Sequence, residues 1–342
     1  MPRVQSVAAG NLAKTVTGIF QGVGVPPEDA RVVADSLVDA DLRGVSSHGV
    51  VRVPTYVKGL RSGEINPRPA LEVTFDGGAR ALVDGDNGMG QVSSHRAIAL
   101  AVARAREHGI GAVGLTRSRH CGAMAYWAIQ ALAQDCIGLA TTNAGLNMAP
   151  TGGRDKIVGN NPIAIAVPTN RDWPMVLDMA TSVVAGGKLD VAAIRGQKIP
   201  LDWATDIDGN PTDDPVKARH GILLPVGGPK GYGMALMLDV LAGVLTGARF
   251  GGGLGPTGSG QFFMAIQVDG FMPVAEFKER MDGVIDQIHA SRLAEGSSRI
   301  YVPGEIEFEK AQQRLAEGIP LEEKIVSDLN ALAGETGAPA LV

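Results

Sequence analysis

Four apolar runs, Ile110–Leu115, Ile137–Thr142, Ile163–Val167 and Met175–Leu177, set the strongest limit on what this chain can fold into. Runs this short and this apolar read as buried strands. Helices are expected between and around them. Ser94–His108 carries Ile98, Leu100, Ala101 and Val102 and meets a natural stop at Gly109. Residues 123–135, 181–193 and 234–245 also read as helices. The alternation is too irregular for a regular βαβ array, and no internal repeat or low-complexity linker interrupts it. At 342 residues the chain is too long for one simple core, so two or more domains are expected.

The first 70 residues have a different texture. Pro26-Pro27-Glu28-Asp29 reads as a helix start, with proline in the first turn and acids facing the dipole. Val32, Val33, Leu37 and Val38 give that helix a core face, and Gly44 ends it. A second helix is expected to carry His48 or Arg52 through Leu60, unless Pro54 marks its first turn. Residues 71–75 and 81–84 then read as a hairpin around Gly77-Gly78. Further on, 200–215 is a polar loop, 251–260 a glycine-rich loop and Phe262–Val268 a strand. Helices near 274–295, 305–317 and 321–332 close the chain, with 334–342 expected to fray.

A net charge of −5 gives no bulk attraction to nucleic acid or acidic membranes. No apolar run approaches membrane-spanning length. The two cysteines, Cys121 and Cys136, form no disulfide framework or metal-ligand pattern and read as reduced thiols. A soluble cytoplasmic protein without nucleic-acid or membrane partners is the expectation.

Chemistry concentrates at Ser47-His48-Gly49, with Arg52 four residues beyond the histidine. Histidine exchanges a proton near neutral pH. Arginine holds a carboxylate through two parallel hydrogen bonds. Four-residue spacing on a helix would put both on one face. His120, in His-Cys-Gly, sits at a second glycine-flanked junction, whereas His95, His108 and His289 fall on or beside helices. The six histidines show no metal spacing, so no metal is expected. The obvious cofactor motifs fail. Gly88-Met89-Gly90 has two glycines of a dinucleotide fingerprint but Ser93 at the third, and no acid follows at the required distance. Gly228-Pro229-Lys230-Gly231 lacks phosphate-loop spacing. Asp178-Met179-Ala180-Thr181-Ser182 follows a strand and could meet a ligand or merely cap a helix. Asn160-Asn161-Pro162 reads as a turn whose asparagines could also bind ligand.

Taken together, the motifs resemble the malate/L-lactate/sulfolactate dehydrogenase family, which includes ureidoglycolate dehydrogenases and cyclic-imine reductases. The resemblance rests on Asp41-Leu42-Arg43-Gly44 through Arg52, His120-Cys121-Gly122-Ala123, Asn143, Ala149–Gly153, Gly159–Pro162, Leu177–Ser182, Gly227–Gly233 and Pro303-Gly304-Glu305. It implies an α/β fold: a non-Rossmann nicotinamide-binding mixed-sheet domain, with an N-terminal helical unit joined by C-terminal helices. The implied divisions are 1–70 completed by 274–342, then 71–122, then a cofactor domain over 123–273. A homodimer with active sites near the interface is also implied.

By the same resemblance, His120 is the acid/base partner of the substrate, with His48 close by. Arg52 clamps a substrate carboxylate, and Ser47, Tyr56 and Asn161 are further substrate contacts. NAD or NADP is expected to meet His48, His120, Asp178, Met179, Ala180, Lys230, Gly231 and Arg299. Lys188 stands where imine reductases tend to carry an acid, which resembles the hydroxy-acid branch. Cys121 replaces a bulkier residue, and the link from Ala204 to Leu224 looks altered. The expected reaction is hydride exchange between NAD(P) and a small 2-hydroxy or 2-oxo acid. The alternatives are cyclic-imine reduction and a catalytically silent ligand-binding scaffold.

Overall fold

The computed structural model describes residues 3–251 and 259–341. A seven-stranded mixed sheet forms its centre. In spatial order the strands are Glu72–Asp76, Arg80–Asp84, Ile110–Ser118, Ser259–Gln267, Cys136–Thr142, Ile163–Val167 and Met175–Met179. Among these neighbours only Arg80–Asp84 and Ile110–Ser118 run parallel. All four apolar runs are strands of this one sheet. The late strand Ser259–Gln267 enters between two early ones, pairing Phe263 with Val113 on one side and Ala140 on the other. That insertion is why the linear order looked irregular.

Helices Gly90–His108 and Met124–Ile129 pack on the sheet through Ala97, Ile98, Ala101, Trp127 and Ala128, against Val113, Leu115, Ala140 and Phe263. Helix Val274–His289 also belongs to this body, tied to it by Lys278–Asp135 (2.6 Å) and Arg171–Asp286 (2.5 Å). The resemblance had grouped it with the N-terminal unit; among the described residues these ion pairs tie it to the sheet body. A second core gathers helices Ala9–Gly22, Pro27–Leu42, Val53–Arg61 and Glu323–Thr336 around Leu12, Phe20, Leu37 and Leu329. Strands Val4–Val7 and Ile319–Glu322 pair antiparallel and close it. The expected fraying of the tail is absent among the described residues: Leu341 is buried, and Asn330 both donates to its carbonyl and accepts from its N–H.

A third, smaller core surrounds Met148, Val184, Leu189 and Ala235. Its sheet orders Ala204–Thr205, Ile222–Leu223, Leu146–Met148 and Val158–Gly159. Thus 123–273 draws on two cores, the central one shared with residues 81–115, and the polar stretch 200–215 contributes a short strand. The helix expected from residue 181 begins only at Gly186, because 181–185 form a loop in which Val183 donates to the Leu224 carbonyl. Most of the glycine-rich stretch 251–260, namely 252–258, lies outside the described residues.

One close approach positions the site. Gly90 opens its helix directly against the Arg119 and His120 carbonyls, and a Cβ there would overlap both. Alanine gains up to about 1 kcal/mol over glycine in a helix, but backbone overlap costs roughly 1–3 kcal/mol. Gly90→Ala is therefore expected to lower the urea midpoint. Gly283→Ala, in a helix with open space around it, should raise it. A stabilised Gly90→Ala protein would contradict this packing.

Candidate active site

Asp41 anchors the first half of the site. It is 1 % exposed near the end of helix Pro27–Leu42, and its Oδ2 accepts from the Val50 N–H at 2.8 Å. Gly49 lies so close to this carboxylate that a side chain there would overlap it. Burial raises the Asp41 pKa to about 6. Of the two readings of the sequence, the structure has the one in which Pro54 marks the helix's first turn. Two 3₁₀ turns, Ser46–His48 and Val50–Arg52, precede a helix that begins at Val53 with Pro54 in its first turn. Helical spacing therefore does not bring His48 and Arg52 together. Arg52 instead folds back, its Nε donating to the Ser47 carbonyl at 2.6 Å. The Ser47 hydroxyl lies 2.9 Å from His48 Nδ1. No carboxylate pairs with Arg52 among the described residues.

His120 supplies the second half, two residues beyond strand Ile110–Ser118. Its ring stacks on His48, with centroids 5.4 Å apart and planes at 22°. The Tyr56 hydroxyl lies 2.6 Å from His120 Nδ1, and the Gly122 N–H points at the same nitrogen from 3.4 Å. Nε2 is left for a ligand. Both imidazoles are held below the ordinary histidine range. For His120 the causes are burial, then the positive charges of His48 and Arg52; for His48 they are burial, then Arg52. Both rings are therefore neutral near pH 7.

These rings open onto a cleft of ≈580 Å³. Asp178, Met179, Ala180, Asn143, Gly145, Gly304 and Glu307 also line it, whereas Arg52 is not among its lining residues. Asp178 Oδ2 accepts from the Ala125 N–H at 2.9 Å, and burial raises its pKa to about 6. Cys121 also borders the cleft, but burial pushes its thiol up to about 12, so it offers space rather than a nucleophile.

Other expected site residues are placed differently. Tyr56 is 5 % exposed behind His120. Asn161 is fully buried with its amide used at both ends, accepting from the Ala144 N–H and donating to the Ala235 carbonyl, each at 2.8 Å. It braces a loop against helix Pro229–Asp239 and has no face toward the cleft. Lys230 and Gly231 begin that helix and do not line the cleft. Arg299 also stands outside the lining, paired with Glu305 and Glu309 over the Tyr301 ring. Glu307, which lines the cleft, escaped the sequence reading; it follows Pro303-Gly304-Glu305, so proximity to that motif was the available signal. Among the described residues no cluster of three or more histidine, cysteine or acidic side chains could hold a metal, and no helix is long and apolar enough to cross a membrane.

The model of the malate/L-lactate dehydrogenase family matches residues 7–330. A malate dehydrogenase of Pyrococcus horikoshii is 42 % identical over 98 % of this chain and 96 % of its own. The solved sulfolactate dehydrogenase of Methanocaldococcus jannaschii superposes with a TM-score of 0.92 at 40 % identity, covering 98 % of each chain. A Δ1-piperideine-2-carboxylate reductase of Pseudomonas syringae pvar. tomato is also similar, with a TM-score of 0.86 at 30 % identity over 96 % of this chain and all of the other. The chain belongs to the malate/L-lactate dehydrogenase family.

Proposed function

We propose that this protein is a nicotinamide-dependent 2-hydroxy-acid dehydrogenase. The observation that carries the reading is the neutral, stacked His48–His120 pair lining a ligand-sized cleft, with Arg52, which has no carboxylate partner among the described residues, close enough to lower both imidazole pKa values. The cleft volume lies within the ~300–1,000 Å³ typical of small-molecule sites. Its walls at Ala123, Gly145, Ala180 and Gly304 are small enough to admit a flat ring. Bound there, the nicotinamide supplies the hydride acceptor or donor. A Rossmann-type site at Gly88-Met89-Gly90 does not fit, since that helix start is filled by the Arg119–His120 backbone and the sheet is mainly antiparallel.

Arg52 would pair with the substrate carboxylate and so fix the position of C2. His120 Nε2 would take the hydroxyl proton as the alcohol is oxidised and return it in reduction. The stacked His48 ring closes one side of the substrate space, with Ser47 next to it. Lys188 follows Gly187, where an added Cβ would stand 3.8 Å from the Ser47 Cβ, and a cation near there suits an acidic substrate. The homologous imine reductase supports cyclic-imine reduction as the second reading. A homodimer would cover Met234, Met237, Val244 and Leu245, which are exposed along one apolar segment. Light scattering should then give twice the chain mass, and a monomer would contradict the assembly.

Malate, lactate, sulfolactate and cyclic imines, each followed by NAD(P)H absorbance, separate the two readings. Turnover of imines alone would overturn the dehydrogenase assignment. On the active hydroxy acid, His120→Asn should lose about 10²–10⁴-fold in kcat, the usual scale of acid–base help. Arg52→Lys should lose roughly 10–100-fold in kcat/KM, the equivalent of ~1.5–3 kcal/mol for a hydrogen bond to a charged group. Normal kinetics in either variant would remove the role assigned to that residue.

The pH dependence has a definite sign. Oxidation needs a neutral imidazole, and a lowered pKa extends the neutral form toward acid. The imidazole limb of kcat/KM should therefore fall only below about pH 5, whereas an unperturbed histidine would halve it near ~6.5. A half-loss at the unperturbed value would contradict the burial of this pair.

A further inference from the structure

The residue before His120 carries a charge into the interior. Arg119 is 6 % exposed and stands where strand Ile110–Ser118 leaves the central sheet. Two backbone features turn the chain there. Arg117 takes a left-handed conformation, φ +48°, with its guanidinium on Asp84 and Asp86. The neighbouring strand slips register between Ser259 and Gln261. Beyond this kink the Arg119 carbonyl stays with the sheet body, accepting from Gln261 Nε2 at 3.2 Å and packing on Gly90. The side chain goes the other way, into the helical unit.

One residue of that unit offers it two acceptors. Arg119 Nη1 donates to Glu64 Oε1 at 2.9 Å, and Nη2 donates to the Glu64 carbonyl. Glu64 is fixed in turn by its neighbour Ile65, which is buried in the same helical core as Tyr56 and whose N–H donates to the Gly59 carbonyl. A guanidinium leaves water only where hydrogen-bond partners and an opposite charge are held for it. Two donors of one planar group on two acceptors fix direction as well as distance. Two links between the bodies therefore meet at His120: its own ring on Tyr56, and the preceding side chain on Glu64.

We propose that Arg119 is a positioning residue for His120, with Glu64 as its counter-charge: the pair locks the sheet body to the helical unit in the orientation that seats the His120 ring on Tyr56 and His48. Arg119 does not line the cleft. It acts by keeping water from the ring and by fixing the ring relative to Arg52, which arrives with the other body. Loss of the pair lets the His120 loop shift, and a misplacement of ~1 Å costs up to about 10²-fold in rate. The charged and titratable groups facing the His120 ring are His48, Arg52 and Tyr56, with Cys121 and Asp178 bordering the same cleft. This inference rests on the 2-hydroxy-acid reading for its kinetics, while the docking itself can be read without any substrate.

The test uses the full-length protein as wild type, Glu64→Lys, Arg119→Met and Arg119→Lys, with Arg104→Met as control. The control removes the Arg104–Asp76 pair, which lies within the sheet body. Proton NMR follows the His120 ring against pH without substrate. In the wild type the ring should stay neutral down to about pH 5. Charge alone would push the midpoint in Glu64→Lys further to acid, since a cation replaces an anion. Loosened docking admits water and moves it the other way, by about one unit toward the ordinary ~6.5. With the hydroxy acid, Arg119→Met should lose roughly 10–100-fold in kcat per cofactor-binding site. KM should change less than about twofold, because Arg52 still holds the carboxylate. Arg119→Lys should recover part of the loss, and Arg104→Met should keep the wild-type kcat and midpoint. A Glu64→Lys midpoint unmoved or shifted to acid, or an Arg119→Met kcat within about twofold of wild type, would overturn the proposal. Glu64 is half-exposed, so if Arg119→Met does not fold, the Glu64→Lys titration decides. If no hydroxy acid is turned over, the functional reading fails while the same titration still decides the docking.

Discussion

The 2.6 Å contact between Tyr56 and His120 joins two separately built parts of the molecule. Tyr56 belongs to the helical core made from both ends of the chain, and His120 belongs to the loop after a central strand. Ser47, His48 and Arg52 arrive with the first part, and Asn143 and Asp178 with the second. The site exists only where these parts dock. Asp41 and Gly49 pin the turn on one side. On the other, Gly90 lets a helix start press against the backbone that carries His120. The Val4–Val7 and Ile319–Glu322 pair holds the two chain ends in a single helical core.

Electrostatics then determine what the docked residues can do. Two protonated rings 5.4 Å apart would repel by ~3 kcal/mol at an effective dielectric constant of about 20. That is close to two pKa units, and Arg52 adds repulsion of the same sign. The pair therefore stays neutral until a negative group enters. A substrate carboxylate seated on Arg52 would offset that cation just when His120 must accept a proton. On the proposed assignment, substrate binding and base strength would be coupled through charge, with no movement of the protein required.

The sequence carried much of this because the strand runs were apolar and the site residues sat at glycine-flanked junctions. Strand Ile163–Val167 and helix Glu305–Glu317 have the bounds that their apolar spacing implied. His48 and Arg52 were singled out for sound chemical reasons, but the shared helix face expected for them is replaced by two short turns that the buried Asp41 carboxylate stabilises, with the helix starting at Pro54's turn. That contact spans nine residues and leaves no periodic signal. Asn161 looked like a ligand contact because asparagine serves turns, ligands and scaffolds equally well. Only the backbone partners at both ends of its amide reveal the third use. Arg299 looked available to a phosphate until folding brought Glu305 and Glu309 to it. Pairings over long separations, such as the chain-end strands, were beyond local patterns altogether.

The central claim is that Arg52 and His120 act on one small acid from opposite parts of the fold. The most direct measurement is a crystal structure with reduced nicotinamide cofactor and oxamate, an unreactive 2-oxo acid mimic. The expected result has the oxamate carboxylate on the Arg52 guanidinium and its amide oxygen within hydrogen-bond distance of His120 Nε2. An oxamate bound away from Arg52, or a cofactor whose nicotinamide ring lies outside the Asp178–Ala180 wall, would contradict it.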